Sequence, residues 1–483
     1  MLFNSLDFAL FLPIVFVLYW FVFHKTYKSQ NILLLVASYF FYACWDWRFM
    51  FLLLFSTLLD YFTGLKMCES TKLNNKKFWF WLSIIINLGF LGVFKYYNFF
   101  AQSLADSVAH IGITLHPWML DIVLPVGISF YTFHGLSYVI DIYKNRIKAE
   151  KNIVDYAIFV SYFPLLVAGP IERATHLLPQ LQVKRSFNYQ NAVDGMRQIL
   201  WGFFKKVVIA DNCARFADMI FNNSEDYSGS TLVAGALFFS LQIYGDFSGY
   251  SDIAIGVSKL FGIDLLRNFA FPYFSRDIAE FWRRWHISLS SWFRDYLYYP
   301  LGGSQGNTWI KVRNTFIIFG VSGFWHGANW TFIFWGILNA VYFLPLLLTQ
   351  KNRTNIDIVA KGKVFPSLKE LFQMTTTFAL VTLAWIFFRA KNMNHALNYI
   401  GEIFSSSLFT IPKFEKMGVA LTLIQVILFF IIVEWLGREN KHALEKIGLK
   451  WNRFFRWFFY SFILFLIGMF ISNEETPFIY FQF

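Results

Sequence analysis

Apolar runs long enough to cross a bilayer recur from one end of this sequence to the other, and the connectors between them are short and often basic. A transmembrane helix needs about 20 predominantly apolar residues, because the hydrocarbon core is about 30 Å thick and each helical residue rises about 1.5 Å. Few folds satisfy a pattern of this kind. In lipid every backbone N–H and C=O must find an internal partner, and helices achieve this within one segment. Composition agrees: 57% of the residues are hydrophobic and 22% aromatic, whereas soluble domains run at about 45–50% apolar even with glycine counted. The sequence therefore predicts an all-α, polytopic transmembrane helical bundle, read as one integral membrane domain over residues 1–483.

The net charge of +12, from 42 Lys and Arg against 30 Asp and Glu, does not point to nucleic acid. The basic residues fall in clusters between apolar runs, which is the pattern of cytoplasmic loops. Residues 6–23 are followed by His24, Lys25 and Lys28 with no Lys or Arg before them, so the N-terminus is expected outside, persisting as a first span without signal cleavage. Further clusters lie at 66–77, 144–151 and 438–456. Spans are expected near 31–44, 49–65, 78–94, 331–348, 374–388, 419–435 and 458–471, with an interfacial helix and loop at 98–120. The basic segment 180–206 is expected to lie as an amphipathic helix on the inner interface. Cys44, Cys68 and Cys213 are too scattered for a disulfide framework or a zinc site. No solenoid period or low-complexity tract occurs.

Several segments break the apolar pattern. Residues 124–143 contain Pro125, Gly127 and Gly135 around His134, read as a packing or cavity-lining histidine. Residues 163–173 are too short and too broken by Pro and Gly to span, and are read as a re-entrant piece ending in Glu172 and Arg173. Asp246 and Asp252 sit in the apolar run 231–262; six residues apart, they do not share a helix face, and pairing with the arginines downstream is expected.

The richest break runs from residue 281 to 335. It begins FWRRWHISLSSWFRDYLYYPLGGS and ends GFWHGANWTFIFW, and it places His286 and His326 in aromatic surroundings at membrane depth. Asp277, Glu280, Arg283, Arg284, Arg294 and Asp295 are too many charges for a lipid-facing helix, so the segment is expected to be re-entrant and buried in protein or to line a wet cavity. Arg283, Arg284 and Arg294 can hold donor phosphates or pair with Asp277, Glu280 and Asp295; the sequence leaves both open. Histidine is suited by its near-neutral pKa to take a proton from an attacking hydroxyl. There is no G-x-S-x-G elbow, no Cys near either His and no H-E-x-x-H, and the separation of the histidines gives no metal spacing. Direct acyl transfer with histidine as base is the simplest fit.

The run WRRWHISLSSWFRDYLYYPLGG followed by GFWHGANWTFIFWG resembles the membrane-bound O-acyltransferase family, in the bacterial branch that includes the alginate O-acetylation membrane protein and the D-alanyl-lipoteichoic-acid transferase. PVGISFYTFHGLSYVID, AGPIER, YGDFSGYSDIAIG, WIFFRA and FIYFQF extend the likeness over nearly the whole chain. The resemblance implies that His326 is the essential catalytic residue and that His286 lies at the same tunnel. It also implies a cytoplasmic thioester donor such as acetyl-CoA, no tightly bound cofactor or metal, and a location in the bacterial inner membrane. In the envelope-modifying branch the acyl group ends up outside, on a polysaccharide, through a separate extracytoplasmic acetyltransferase. The rival class is a transporter or flippase of a lipid-linked or polysaccharide precursor, which also uses broken helices but would not consume acetyl-CoA. A pure scaffold would leave both histidines replaceable. The charge pattern makes one topological prediction: single cysteines at Lys76 and Asn473 should label from opposite sides of the membrane, and labelling from the same side would refute the map.

Overall fold

The computed structural model describes residues 1–167, 169–471, 478 and 479, and among these it is helical without a strand. Among the described residues, six helices are long and apolar enough to cross a membrane: Trp47–Glu69, Leu73–Ala109, Trp330–Leu348, Leu368–Arg389, Met417–Gly437 and Arg453–Phe470. The protein is thus a multi-pass membrane protein. Of the expected tail 472–483, all but Phe478 and Ile479 lies outside the described residues.

Contacts group the chain into two units, the first comprising Met1–Ala192 with Val257–Leu266 and the second Val193–Gly256 with Arg267–Phe483. In the first, helices start where the sequence supplies caps: Ser5 Oγ accepts from Phe8 N, Thr26 and Ser29 form a reciprocal capping box, and Asp46 accepts from Arg48 N. These side chains satisfy N–H groups that a helix terminus leaves unpaired. Trp47–Glu69, Leu73–Leu91 and Ile128–Tyr143 pack together through small and polar residues, as helices in lipid do when apolar burial gives them no drive to associate. Asp60 Oδ1 accepts from Ser83 Oγ at 2.6 Å and Asn87 Nδ2 at 2.8 Å. Position 135 must be glycine here, since a Cβ would lie 2.0 Å from Asp60 Oδ2.

The helix and loop expected at 98–120 are found as the last part of a longer helix and the non-helical residues after it. The helix Leu73–Leu91 continues through a π turn, Gly92–Tyr96, into Tyr97–Ala109, because no proline interrupts the hydrogen-bond ladder. In the segment 163–173, Phe163–Leu166 forms one helical turn, and buried Glu172 accepts from His176 Nδ1 at 2.8 Å and Leu266 N at 2.6 Å. His134 is buried, with Nε2 accepting from Glu172 N at 3.1 Å, as a packing histidine should be.

The second unit holds the long helix Gly229–Leu260 over most of its length. Here the pairing expected of its carboxylates is corrected: Asp252 bonds Lys205 at 2.6 Å and Asp246 bonds Lys206 at 2.8 Å, not the downstream arginines. Lys206 also pairs with Asp211 at 2.9 Å. The segment 180–206 consequently does not lie wholly on the interface, for Lys205 and Lys206 are buried. After the helix Tyr189–Phe203 the backbone widens into the π-helix Phe204–Ala210, which breaks the 3.6-residue period on which the amphipathic reading depended. Removing one partner from a buried charge group leaves the others uncompensated, at a cost of about 3–5 kcal/mol. Lys206→Met should therefore lower the thermal stability of the detergent-solubilised protein severely. Adding Asp211→Asn and Asp246→Asn to it should restore much of the loss.

Candidate active site

His286 is held from three directions. It stands between the short helices Ile278–Arg284 and Ile287–Phe293, the first capped by Asp277 Oδ1, which accepts from Glu280 N at 2.7 Å. Its own backbone is left-handed, with φ 43° and ψ 54°. For a residue with a Cβ that conformation is uncommon and costs about 1 kcal/mol or more, so the surroundings must enforce it. They do so through two backbone hydrogen bonds that tie segment 268–270 across the turn: Ala270 N donates to Arg284 O and Ile287 N to Asn268 O, both at 2.9 Å.

The side chain is 3% exposed and is oriented by Asn268. Asn268 Oδ1 accepts from Ser288 N at 3.4 Å and Ser288 Oγ at 2.9 Å. Because a backbone N–H can only donate, this fixes the amide orientation and makes Oδ1 an acceptor. His286 Nδ1, 3.0 Å from that oxygen, therefore carries the proton, and the neutral ring keeps its lone pair on Nε2. Asn268 Nδ2 in turn donates to Ser251 Oγ at 3.1 Å. Phe247 meets the imidazole edge to face at 4.6 Å, and Phe478 packs on Phe247 at 5.9 Å.

His326 reaches the site on a longer element. It ends the helix Thr308–His326, which packs closely along Trp330–Leu348. Gly323 and Gly336 make the close approach possible: a Cβ on Gly323 would lie 2.2 Å from Phe332 O, and one on Gly336 2.2 Å from Phe319 O. The imidazole is 5% exposed and lies edge to face with Trp335 at 5.3 Å and Phe388 at 5.4 Å. Trp335 stacks on Trp385 at 5.5 Å, which meets Trp285 at 5.1 Å, so aromatic rings wall the region on several sides.

Both histidines line one cavity of about 100 Å³, with Trp282, Trp285, Phe293, Phe319 and Ser322 among its walls. Sequence separation of forty positions is thereby closed by the fold. No cluster of His, Cys, Asp or Glu suited to a metal ion occurs among the described residues.

The three arginines are placed as follows. Arg283 donates to the carbonyls of Asn352 and Asn355, each at 2.7 Å. Arg284 bonds Glu280 at 2.8 Å and the Asp357 carbonyl at 2.8 Å. Arg294 pairs with Asp295 at 2.9 Å. Arg276, which the sequence reading did not single out, joins buried Glu280 at 3.1 Å to Asp357 at 2.8 Å, and its hydrogen bond holds the Asp357 carboxyl below the usual carboxylate range. Together Arg276, Arg283 and Arg284 clamp the loop at 352–357 onto the helix that precedes His286. Asn268 was missed as well; its signal was a lone amide in the apolar stretch NFAFPYF.

The family model for membrane-bound O-acyltransferases matches residues 146–373. Over 452 residues the chain is 38% identical to a protein of Azotobacter vinelandii described as a probable alginate O-acetylase, an alignment covering 93% of this chain and 87% of that relative. The chain belongs to the membrane-bound O-acyltransferase family. Other relatives in the family include a peptidoglycan O-acetyltransferase of Helicobacter pylori, 37% identical with 83% of this chain and 79% of the relative covered. A teichoic acid D-alanyltransferase of Bacillus subtilis is more distant, 28% identical over 56% of this chain and 70% of the relative. The protein is thus an O-acyltransferase, and both histidines fall inside the matched region.

Asn268 orients the His286 ring through its hydrogen bond to Nδ1. Asn268→Leu should lower kcat with little change in the KM for the acyl donor, because the His286 tautomer and ring angle would be lost. Asn268→Asp, which keeps an acceptor oxygen toward Nδ1, should recover part of the rate. Equal losses for both variants, with KM rising in step, would indicate a merely structural residue.

Proposed function

We propose that this acyltransferase passes acetyl groups from a cytoplasmic thioester donor across the inner membrane for O-acetylation of an extracytoplasmic polysaccharide. The observation that carries the reading is the convergence of His286 and His326 on one aromatic-walled cavity. His326 acts as general base on the acceptor hydroxyl: it takes the proton as the oxygen attacks the thioester carbonyl, and the thiol leaves protonated. His286, whose Nδ1 is committed to Asn268, offers only the Nε2 lone pair, suited to accept a hydrogen bond from the acceptor and so orient it. No covalent enzyme intermediate is needed.

A small acyl group suits the site. The cavity volume of about 100 Å³ is well above the roughly 10–15 Å³ that one water needs, which leaves room for an acetyl head. The names of the alginate and peptidoglycan relatives support acetyl as the group and an envelope polymer as the destination. A separate extracytoplasmic acetyltransferase completes delivery to the polymer.

General-base loss typically removes about 10²–10⁴-fold of rate. His326→Ala should therefore insert and fold normally yet transfer acetyl groups at least about 100-fold more slowly, with a partial loss for His286→Ala. The assay is acetylation of polymer outside liposomes with acetyl-CoA inside, with and without the partner enzyme. Normal transfer by His326→Ala would reject the catalytic assignment, and full-rate transfer without a partner would reject the relay.

A further inference from the structure

Two of the side chains that line the histidine cavity carry hydroxyls, Ser290 and Ser322. Ser290 Oγ donates to Trp285 O at 3.5 Å. Ser322 is 7% exposed, and its hydroxyl donates to no acceptor among the described residues. Buried hydroxyls elsewhere in the chain turn back on their own helix, which is the common way for such a group to be satisfied. Ser38 donates to Leu34 O, Thr57 to Leu53 O and Ser161 to Ala157 O, each at 2.7 Å, and Ser240 to Ala236 O at 2.9 Å. On the same helix as Ser322, Thr315 donates to Lys311 O at 2.8 Å. The oxygens of Ser248 and Thr331 also lack a partner, but both are sealed in the packing; that of Ser322 is not among the sealed atoms, and its side chain lines the cavity.

Its place on the helix gives this hydroxyl a use. Ser322 stands four residues before His326 in Thr308–His326, so the two side chains lie on one face, with Cβ atoms about 5–6 Å apart. Both line the cavity, and His286 faces them there. What the histidines bring to acyl transfer are lone pairs. His286 Nδ1 is committed to Asn268, and a histidine that is to take a proton begins with an unprotonated nitrogen. Trp282 also lines the cavity, but its Nε1 is sealed in the packing. Attack on a carbonyl puts negative charge on the carbonyl oxygen, and away from water that charge needs a preorganised donor. The Ser322 O–H is such a donor, one helical turn from the base.

We propose that Ser322 is a further catalytic residue, whose hydroxyl donates a hydrogen bond to the carbonyl oxygen of the thioester; this rests on the reading of the cavity as the place of acyl transfer. As the acceptor oxygen bonds to the carbonyl carbon, its proton passes to His326 and the π pair of the C=O bond moves onto the carbonyl oxygen. The resulting oxyanion is held by the Ser322 O–H. The pair then returns to re-form C=O, the C–S bond breaks, and the departing thiolate takes the proton from His326. Ser322 keeps its own proton throughout, so no acyl-serine forms. The one-turn offset suits these roles, because the carbonyl carbon has to lie near the hydroxyl that His326 deprotonates while its oxygen points away from that base.

The test reads thiol release from acetyl-CoA by the full chain in liposomes, with water as the acceptor hydroxyl. Wild type, His326→Ala, Ser322→Ala and Ser322→Thr are compared after each is shown to unfold at the wild-type temperature in detergent. Ser322→Ala deletes one oxygen and leaves the helix packing in place. Its kcat should fall about 100-fold, as on loss of one oxyanion donor, with KM for acetyl-CoA unchanged, and Ser322→Thr, which keeps the hydroxyl, should recover much of the rate. A second substrate separates a donor from a packing residue: the dithioester analogue of acetyl-CoA, in which sulfur replaces the carbonyl oxygen and accepts hydrogen bonds weakly. The rate ratio of thioester to dithioester should be large for wild type and shrink in Ser322→Ala. An unchanged ratio overturns the proposal even if the rate falls. So does full-rate turnover by Ser322→Ala beside a slow His326→Ala, a result that leaves the transferase reading intact. Full rate in both variants rejects the cavity as the place of transfer and the proposal with it. An acetyl group found on Ser322 by mass spectrometry after acid quench would make the residue a nucleophile and overturn its role as donor.

Discussion

Membrane depth removes the water that would otherwise solvate a polar side chain, and the cost of leaving such a group unpaired governs this structure. His286 is tied to Asn268, and Asn268 to Ser288 and Ser251, at 3.0, 2.9 and 3.1 Å. A partly satisfied chain of this kind would cost more than an apolar replacement, so its completeness gives one ring orientation and one tautomer. The same constraint pairs Asp252 with Lys205 and Asp246 with Lys206, and draws Trp201 and Tyr244 onto buried Glu434, each at 2.6 Å.

The two histidines arrive by different physical routes. His286 sits in a strained turn, with short helices on either side and the π segment Arg294–Tyr298 following. Strain and irregular helix are features that proteins retain where backbone groups are re-satisfied by surrounding protein and where function demands a particular angle. His326 needs no strain. It ends a regular helix whose approach to its neighbour is set by Gly323 and Gly336, a small-residue crossing of the kind that packs helices in lipid. One histidine is thus placed by a strained turn and the other by the end of a rigid helix.

Charge around the site is held in two ways that composition alone does not separate. Arg276, Arg283 and Arg284 direct most of their donors to Glu280 and to the carbonyls of Asn352, Asn355 and Asp357, which fixes a polar loop against the helix that precedes His286. Arg267, Lys441 and Lys446 leave their charge facing a cavity. The difference lies in which acceptors the fold brings near, since all six are basic residues beside apolar sequence.

The sequence by itself determined the helical class, the approximate places of six of the eight expected spans and the two histidines, because each of these is a local property: an apolar run is apolar wherever it folds, and an imidazole in such a run is costly wherever it lies; the expected spans 6–23 and 31–44 are helices too short to count among the six. The motif GFWHGANW and the run FWRRWHISLSS carried the family for the same reason. Pairing was a matter for the tertiary structure. Asp246 and Asp252 took lysines from a π-helix that no 3.6-residue pattern reveals, the helix after Leu73 ran on to Ala109, and Asn268, eighteen residues before His286, became its hydrogen-bond partner. Such contacts join residues distant in sequence, and what selects them is the geometry of packed helices and the need to satisfy each buried polar atom, neither of which is written in any one segment.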